Sequence, residues 1–327
     1  MNKLNKVSIV AGGAGFIGSN LVMHLLNEGH SVFVIDNFSL GRLQNLEHSI
    51  DHPGLTVVDA DLSSAVDAIN SFGKAIPFGN DFDIWHLAAN SDIPAGITNM
   101  DIDLSATFLT TANILQAMKH FNMRKFYFAS SSAIYGDMGD LAIHENSGPL
   151  FPISNYGAMK LASEALASAS AESFLDLAMI FRFPNVVGAP ATHGVIFDFI
   201  NKLHLSGGKF LQVLGNGSQK KSYLHVSDLL SAMFTLRDSV INGRIQAVNI
   251  GPDDDGASVQ WIAENVAARI SPNAEIIYGA GNKGWVGDVP KFNYSIDLIK
   301  SYGWAPVLTS KEAIKRSINE IAIQLGY

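Results

Sequence analysis

The chain has 327 residues, of which 47% are hydrophobic and 16% charged, and its formal net charge is −8. That composition can build one large or two modest cores and excludes a disordered polyelectrolyte. The acidic balance and the lack of a basic stripe argue against a nucleic-acid partner, and the absence of cysteine excludes disulfides, thiolate catalysis and zinc–thiolate sites.

The start, MNKLNKVSIVAGG, runs into a short apolar segment with no small-residue cleavage site. No apolar run approaches the roughly 18 residues that span a bilayer, so a soluble cytoplasmic protein with no membrane partner is expected. VSIVAG (7–12) has the length of a buried strand. FIGSNLVMHLLNEG follows, with Phe16, Leu21, Leu25 and Leu26 at near-helical spacing and Gly29 as its end. SVFVID (31–36), LTVVDAD (55–61), FDIWHLAA (82–89), KFYFASS (125–131) and DLAMIFRF (176–183) are further strand candidates, and helical stretches are expected at 102–120 and 155–174. Strands apolar on both faces, alternating with helices, predict an α/β fold: a doubly wound parallel sheet covered on each side.

After about residue 185 the texture changes. Short elements alternate with VVGAPATHG, LSGGK, LGNGSQ, NIGPDDDGAS and GAGNKGWVGDVP. This predicts a sheet domain over 1–185 and a smaller, loop-rich C-terminal substrate lobe over 186–327, with chain crossings back to the sheet. Loops of this kind carry substrate selectivity.

AGGAGFIG (11–18) places Gly12, Gly15 and Gly18 between a strand and a helix, where backbone N–H groups can approach a pyrophosphate. The next strand ends in Asp36, 18 residues after Gly18. A carboxylate there accepts from an adenosine ribose and repels a 2′-phosphate, which favours NAD as cofactor; Arg42 nearby is of the type that receives a 2′-phosphate instead.

The strand at 125–131 ends in a serine run, at the edge where a doubly wound sheet binds its ligand. Ser154 or Asn155 can cap the following helix, which puts Tyr156 and Lys160 four residues apart on one face. A neighbouring ammonium and a cationic nicotinamide both favour a phenolate, so Tyr156 is a candidate to take a proton from a substrate hydroxyl while hydride leaves the adjacent carbon. A serine hydroxyl can align the same oxygen. Gly157 is costly in a helix, and the expectation is that it keeps space open beside the phenol.

AGGAGFIG, VIDNFSLGR, DADL, HLAAN, SSSAIYG, SNYGAMK, FRFPNVVG and SYLHVSDL occur in the order seen in extended short-chain dehydrogenases. The chain resembles the NAD-dependent epimerase/dehydratase family, and within it the UDP-glucose 4-epimerase-like members. The resemblance implies a Rossmann-like domain, a nucleotide-sugar substrate and a homodimer formed through helices such as 102–120 and 155–174, where Ala158, Ala162, Ala165 and Ala169 form a small-residue stripe. It maps the catalytic set to Ser131, Tyr156 and Lys160. It implies cofactor contacts from Gly12, Gly15, Phe16, Ile17, Gly18, Asp36, Asn37, Ser39, Asp61, Leu62, Leu87, Ala88, Ala89, Tyr156, Lys160 and Pro184. Substrate contacts are implied for Ser131, Ser132, Ala133, Asn185, Val195 and Lys221. No metal is implied.

The departures from the family pattern sort the reactions. The 4,6-dehydratases carry an Asp-Glu pair where this chain has Ser132 and Ala133, and UDP-glucuronate decarboxylases have a Glu at the place of Ala133. GDP-fucose synthase-like members use a cysteine, absent here. A C4 epimerase working through a 4-keto sugar remains, with UDP-galactose and UDP-glucose as the first pair to consider. A 4-dehydrogenase or ketoreductase using the same triad and a non-catalytic NAD-binding regulator are the alternatives. Two arginines usual around the diphosphate are replaced by Lys221 and Trp285, with Lys220 and Lys283 as possible substitutes, and Thr107 stands where the family has an asparagine. His48 and His52 read as a solvated loop, Asp253–Asp255 as a turn and cap for the helix that follows, and His225, Trp261 and Trp304 as structural.

Overall fold

The computed structural model describes residues 6–139, 141–281 and 293–327, so Lys283, Trp285 and the rest of the NKGWVGDVP segment lie outside the described residues. Six of the apolar runs form strands paired in parallel: β1 (Lys6–Ala11), β2 (Ser31–Asp36), β3 (Leu55–Asp59), β4 (Asp81–His86), β5 (Lys125–Ala129) and β6 (Leu177–Arg182). With β7 (Ile245–Asn249) at one edge, the sheet order is β7-β6-β5-β4-β1-β2-β3. The chain builds outward from β1 to β3, then returns to β4 and builds the other way. The crevice left by this reversal opens at the C-terminal ends of β1 and β4, where a ligand fits between diverging loops.

Apolar residues stand on both faces because helices cover both. On one face Val7, Ile9, Phe33, Ile35, Ile84, Phe126 and Phe128 pack with residues of three helices: Ala68 and Phe72, Ile114 and Met118, and Ala167 and Ala171. The opposite row carries Val10, Val34 and Trp85, the last stacked on Tyr127 with centroids 4.3 Å apart. The helices of this unit are α1 (Phe16–Asn27), α2 (Ala65–Gly73), α3 (Ile93–Thr98), α4 (Met100–Asp103), α5 (Thr110–His120) and α6 (Asn155–Ser173). Helix α1, with Leu21, Val22, Leu25 and Leu26 buried, packs on β1 and β2.

The single helix expected at 102–120 is interrupted: Leu104–Leu109 is a π-helical turn between α4 and α5. Threonine hydroxyls stabilise the widened backbone. Thr110 Oγ1 donates to the Ser105 carbonyl at 3.1 Å and Thr111 Oγ1 to the Thr107 carbonyl at 2.8 Å.

Two units divide the chain. The sheet unit holds the described residues up to Gly136 together with Pro149–Arg182 and Arg237–Val248; the second holds Asp137–Gly148, Phe183–Leu236 and the described part of Asn249–Tyr327. The second unit contains α7 (Val195–Leu205), most of α8 (Val226–Asp238), α9 (Val259–Ile270), α10 (Asp297–Ser301) and α11 (Ser310–Gln324). Its core joins Phe199, Ile200, Leu203, Leu211, Val213, Ile262, Val266, Ile314 and Ile318.

The acidic run forms the expected turn but does not cap α9. Helix α9 is capped by Ser258, whose Oγ accepts from Trp261 N at 3.1 Å. Asp254 instead accepts from Gly256 N and from Ser310 N, so it pins the start of α11 from a distant loop. His225 is buried between Ser227 Oγ at 2.8 Å and Glu320 Oε2 at 3.1 Å, a structural role, and Trp304 is buried. Among the described residues no helix is long and apolar enough to cross a membrane.

Ile84 sits fully buried in the middle strand of this sheet. Ile84→Ala is expected to destabilise the sheet unit by about 2–5 kcal/mol, read as a lower urea midpoint by far-ultraviolet circular dichroism.

Candidate active site

The turn after β1 brings three strands together. Gly12 N donates to the Ile35 carbonyl at 2.9 Å, and Leu87 N donates to the Ala11 carbonyl at 2.9 Å. Gly12 has φ +79°, and a Cβ there would lie 2.6 Å from Ala88 N, so glycine is what allows the 87–89 loop to close against the turn. Helix α1 starts at Phe16 with Gly15 as its cap and no side chain bonded there. The N–H groups of its first turn are therefore free of side-chain caps, a setting suited to a pyrophosphate.

Asp36 ends β2 beside this turn. Its Oδ2 accepts from Ala14 N and its Oδ1 from Phe38 N, both at 2.9 Å. Burial pushes the carboxyl up, and these two donors pull it down. Each oxygen keeps a further lone pair for a ribose hydroxyl. Asn37 and Ser39 form an exposed turn, Ser39 N donating to Asn37 Oδ1. Asp61 is exposed and Leu62 buried, in a loop held by Asn113 Nδ2, which donates to the Leu62 carbonyl at 3.0 Å and the Ser63 carbonyl at 2.8 Å. Leu87, Ala88 and Ala89 are half-buried. A glycine turn that a Cβ would fill, open helix N–H groups and a strand-end carboxylate together fit an adenine dinucleotide.

Ser131, Tyr156 and Lys160 converge within the sheet unit. Ser154 is the cap of α6, its Oγ accepting from Gly157 N at 3.1 Å. The first turn of α6 then presents Tyr156, and Lys160 follows one turn on. Ser131 acts on the Tyr156 phenol, pulling it down, and its Oγ accepts from Ala133 N at 3.1 Å. Lys160 Nζ donates to the Ala129 carbonyl at 2.6 Å and lies 5.8 Å from the centre of the Tyr156 ring.

The electrostatics differ from the sequence-based expectation of a lowered phenol. Burial pushes Tyr156 up to about 12, against the pull of the Ser131 hydrogen bond. Burial also brings Lys160 down to about 7, with Glu164 and Asp103 opposing the change. The Lys160 ammonium is committed to a carbonyl of β5 and is not among the groups that lower the phenol. Gly157 also differs from its expected role. A Cβ there would lie 2.5 Å from the Ala133 carbonyl and 3.2 Å from Pro152 Cβ, so the glycine lets the 132–135 turn pack against α6.

A buried polar group beneath the triad escaped the sequence reading. Glu164 Oε2 accepts from Arg182 Nη2 at 2.6 Å, and Oε1 accepts from Arg182 Nε at 3.0 Å and from Ser130 Oγ. Arg182 Nη1 donates to Tyr135 Oη at 2.9 Å. This ties the ends of β5 and β6, the 132–135 turn and α6 into one rigid frame. The signal available was spacing: Glu164 is four residues beyond Lys160 on the same helix.

The remaining substrate candidates, and the cofactor candidate Pro184, belong to the second unit. Asn185 is exposed, and its Nδ2 donates to the Ser222 carbonyl at 3.3 Å; Pro184 is half-buried. Val195 opens α7 after Gly194. Lys221 is half-buried in a short strand pair with Ala257, whereas Lys220 is exposed and lies 3.4 Å from Asp255.

The model of the NAD dependent epimerase/dehydratase family matches residues 8–251. A solved UDP-galactose 4-epimerase is 32% identical, with a TM-score of 0.84 over 98% of this chain and 99% of that one. A protein of Methanocaldococcus jannaschii provisionally named UDP-glucose 4-epimerase is 29% identical over 95% of this chain and 97% of its own length. UDP-glucuronic acid decarboxylase 1 of Xenopus tropicalis is 28% identical over 99% of this chain and 74% of its own.

The buried lysine makes a stability prediction. An unfolded lysine titrates near 10.5 and Lys160 near 7, so the folded protein gains stability relative to the unfolded chain as pH rises through that window. Lys160→Met removes this dependence. Its urea midpoint, relative to wild type, is expected to be more favourable at pH 6 than at pH 9; an equal difference at both pH values would contradict the burial argument.

Proposed function

The chain belongs to the NAD dependent epimerase/dehydratase family, and from that membership we propose that it inverts C4 of a nucleotide-activated sugar with NAD as its cofactor. The observation that carries this reading is Tyr156 with Lys160 beside its ring and the Ser131 hydroxyl acting on its phenol, Ser131 being followed at once by Ser132 and Ala133. Proton transfer at one hydroxyl is provided for; a second acid–base pair for water loss is not supplied at those two positions.

When bound, NAD would supply the hydride acceptor and donor for C4, and a sugar free to turn would present its other face for the return. Tyr156 Oη takes the C4 hydroxyl proton, and Ser131 Oγ orients that hydroxyl. The phenol must become more acidic than in the protein alone, and each unit of lowering corresponds to about 1.4 kcal/mol of preferential stabilisation of the phenolate. A cation beside the ring acts in that direction. Lys160 contributes an N–H donor next to the ring, suited to a ribose hydroxyl, while Ala129 holds its ammonium in place. In this reading Gly12, Gly15, Phe16, Ile17, Gly18 and Asp36 hold the dinucleotide, and Ser131, Ser132 and Ala133 face the sugar.

A simple 4-dehydrogenase or ketoreductase uses the same three residues, and the family also contains decarboxylases such as the Xenopus relative. Ala133 favours epimerisation over decarboxylation, because it brings no carboxylate to the sugar. The half-buried and exposed alanines at 158, 162, 165 and 169 of α6, together with exposed Leu109 beside α5, suit a homodimer through these helices.

Two experiments test this reading. In a panel of UDP-, dTDP-, GDP- and CDP-sugars followed by NMR, C4 inversion without net NADH is expected; stoichiometric NADH would identify a dehydrogenase, and loss of carbon dioxide a decarboxylase. Tyr156→Phe is expected to lower turnover by roughly 10²-fold or more with the fold retained. Undiminished turnover would remove the phenol from the mechanism.

A further inference from the structure

Asp103 ends α4 fully buried. Its Oδ1 accepts from Asn90 Nδ2 at 2.9 Å, while its Oδ2 has no hydrogen-bond partner. A carboxylate left in that state is costly unless another charge compensates it. The backbone has been shaped to admit it. A Cβ on Gly96 would lie 1.8 Å from Asp103 Oδ2, so only glycine lets α3 close over this oxygen. From the other side Asn155 Nδ2 donates to the Gly96 carbonyl at 2.9 Å. Asp103 and the residue preceding Tyr156 thus meet on the same glycine.

The charge of Asp103 reaches both members of the proton-transfer pair. It pushes the Tyr156 phenol up and opposes the fall of Lys160. Burial raises Asp103 itself, while the Asn90 amide and the Lys160 ammonium favour its charged form. The other charged or titratable groups around the pair are Glu164 on α6, which acts on Lys160, and His86 of β4, itself held down by burial and by Lys160. Asp92, at the cap of α3, acts on Asp103, and Arg182 of β6 is committed to Glu164.

We propose that Asp103 is a positioning residue of the Tyr156–Lys160 pair, a buried counter-charge that keeps the lysine proton and the phenol proton in place until cofactor and sugar arrive. The proposal rests on the reading of Tyr156 as proton acceptor. It gives the Asn90–Asp103 bond and Gly96 a purpose in the reaction, since together they fix where the charge sits.

The test is the titration of Tyr156 in the NAD-loaded protein, followed by NMR of 13Cζ-labelled tyrosine and assigned by the signal lost in Tyr156→Phe. Asp103→Asn keeps the shape and a polar contact for Asn90 but removes the charge, and the Tyr156 midpoint is expected to move to lower pH. Asp103→Leu, which leaves Asn90 its bond to the Asp92 carbonyl, carries the same expectation if the first variant does not fold. An unchanged or raised midpoint in folded, NAD-loaded protein would overturn the proposal. The titration needs no sugar, so it stands apart from the functional reading. A midpoint that falls in a protein whose turnover survives Tyr156→Phe would uphold the counter-charge and refute the catalytic role of the phenol.

Discussion

A lysine ammonium held out of water is the constraint around which the sheet unit is organised. Lys160 reaches from α6 to the carbonyl that ends β5, and burial alone would strip its proton. Two carboxylates oppose that loss. Glu164 stands one turn further along the same helix and is anchored by Arg182; Asp103 comes from α4 and is anchored by Asn90. Each anchor is itself buried and hydrogen-bonded, as a low-dielectric interior requires. The arrangement fixes the ends of β5 and β6 and the start of α6, and Ser131 and Tyr156 are placed by those three elements.

This frame also explains why the phenol is quiet in the protein alone. Burial and a nearby negative charge keep Tyr156 protonated. An added cation in the crevice changes the balance in the direction that proton abstraction needs.

Much of the sheet was legible because its signals are local. Apolar runs on strands buried on both faces, a glycine turn between strand and helix, and an acid at the end of the second strand each lie within a few residues of one another. Tyr156 and Lys160 were visible for the same reason, as an i, i+4 pair on a capped helix. The π turn at Leu104–Leu109 was hidden, since its signature is which carbonyl the threonine hydroxyls choose, and helical periodicity does not record that. Edge strand β7 was hidden by being short and half-buried along most of its length.

The buried polar frame was the least legible part. Ser130 and Glu164 are 34 residues apart, Glu164 and Arg182 are 18 apart, and Asn90 and Asp103 are 13 apart. Each residue alone passes for surface charge or a loop polar group; only the fold shows that they meet. Burial likewise reversed the expected shift of Tyr156, because desolvation outweighs a lysine that is occupied elsewhere. The proposed reaction requires that hydride leave and return at C4 of the same sugar. The most direct measurement is the fate of deuterium placed at C4 of UDP-galactose, or of whichever nucleotide sugar the protein accepts. Deuterium retained at C4 of the inverted product is the predicted result, and its loss to solvent would contradict the account.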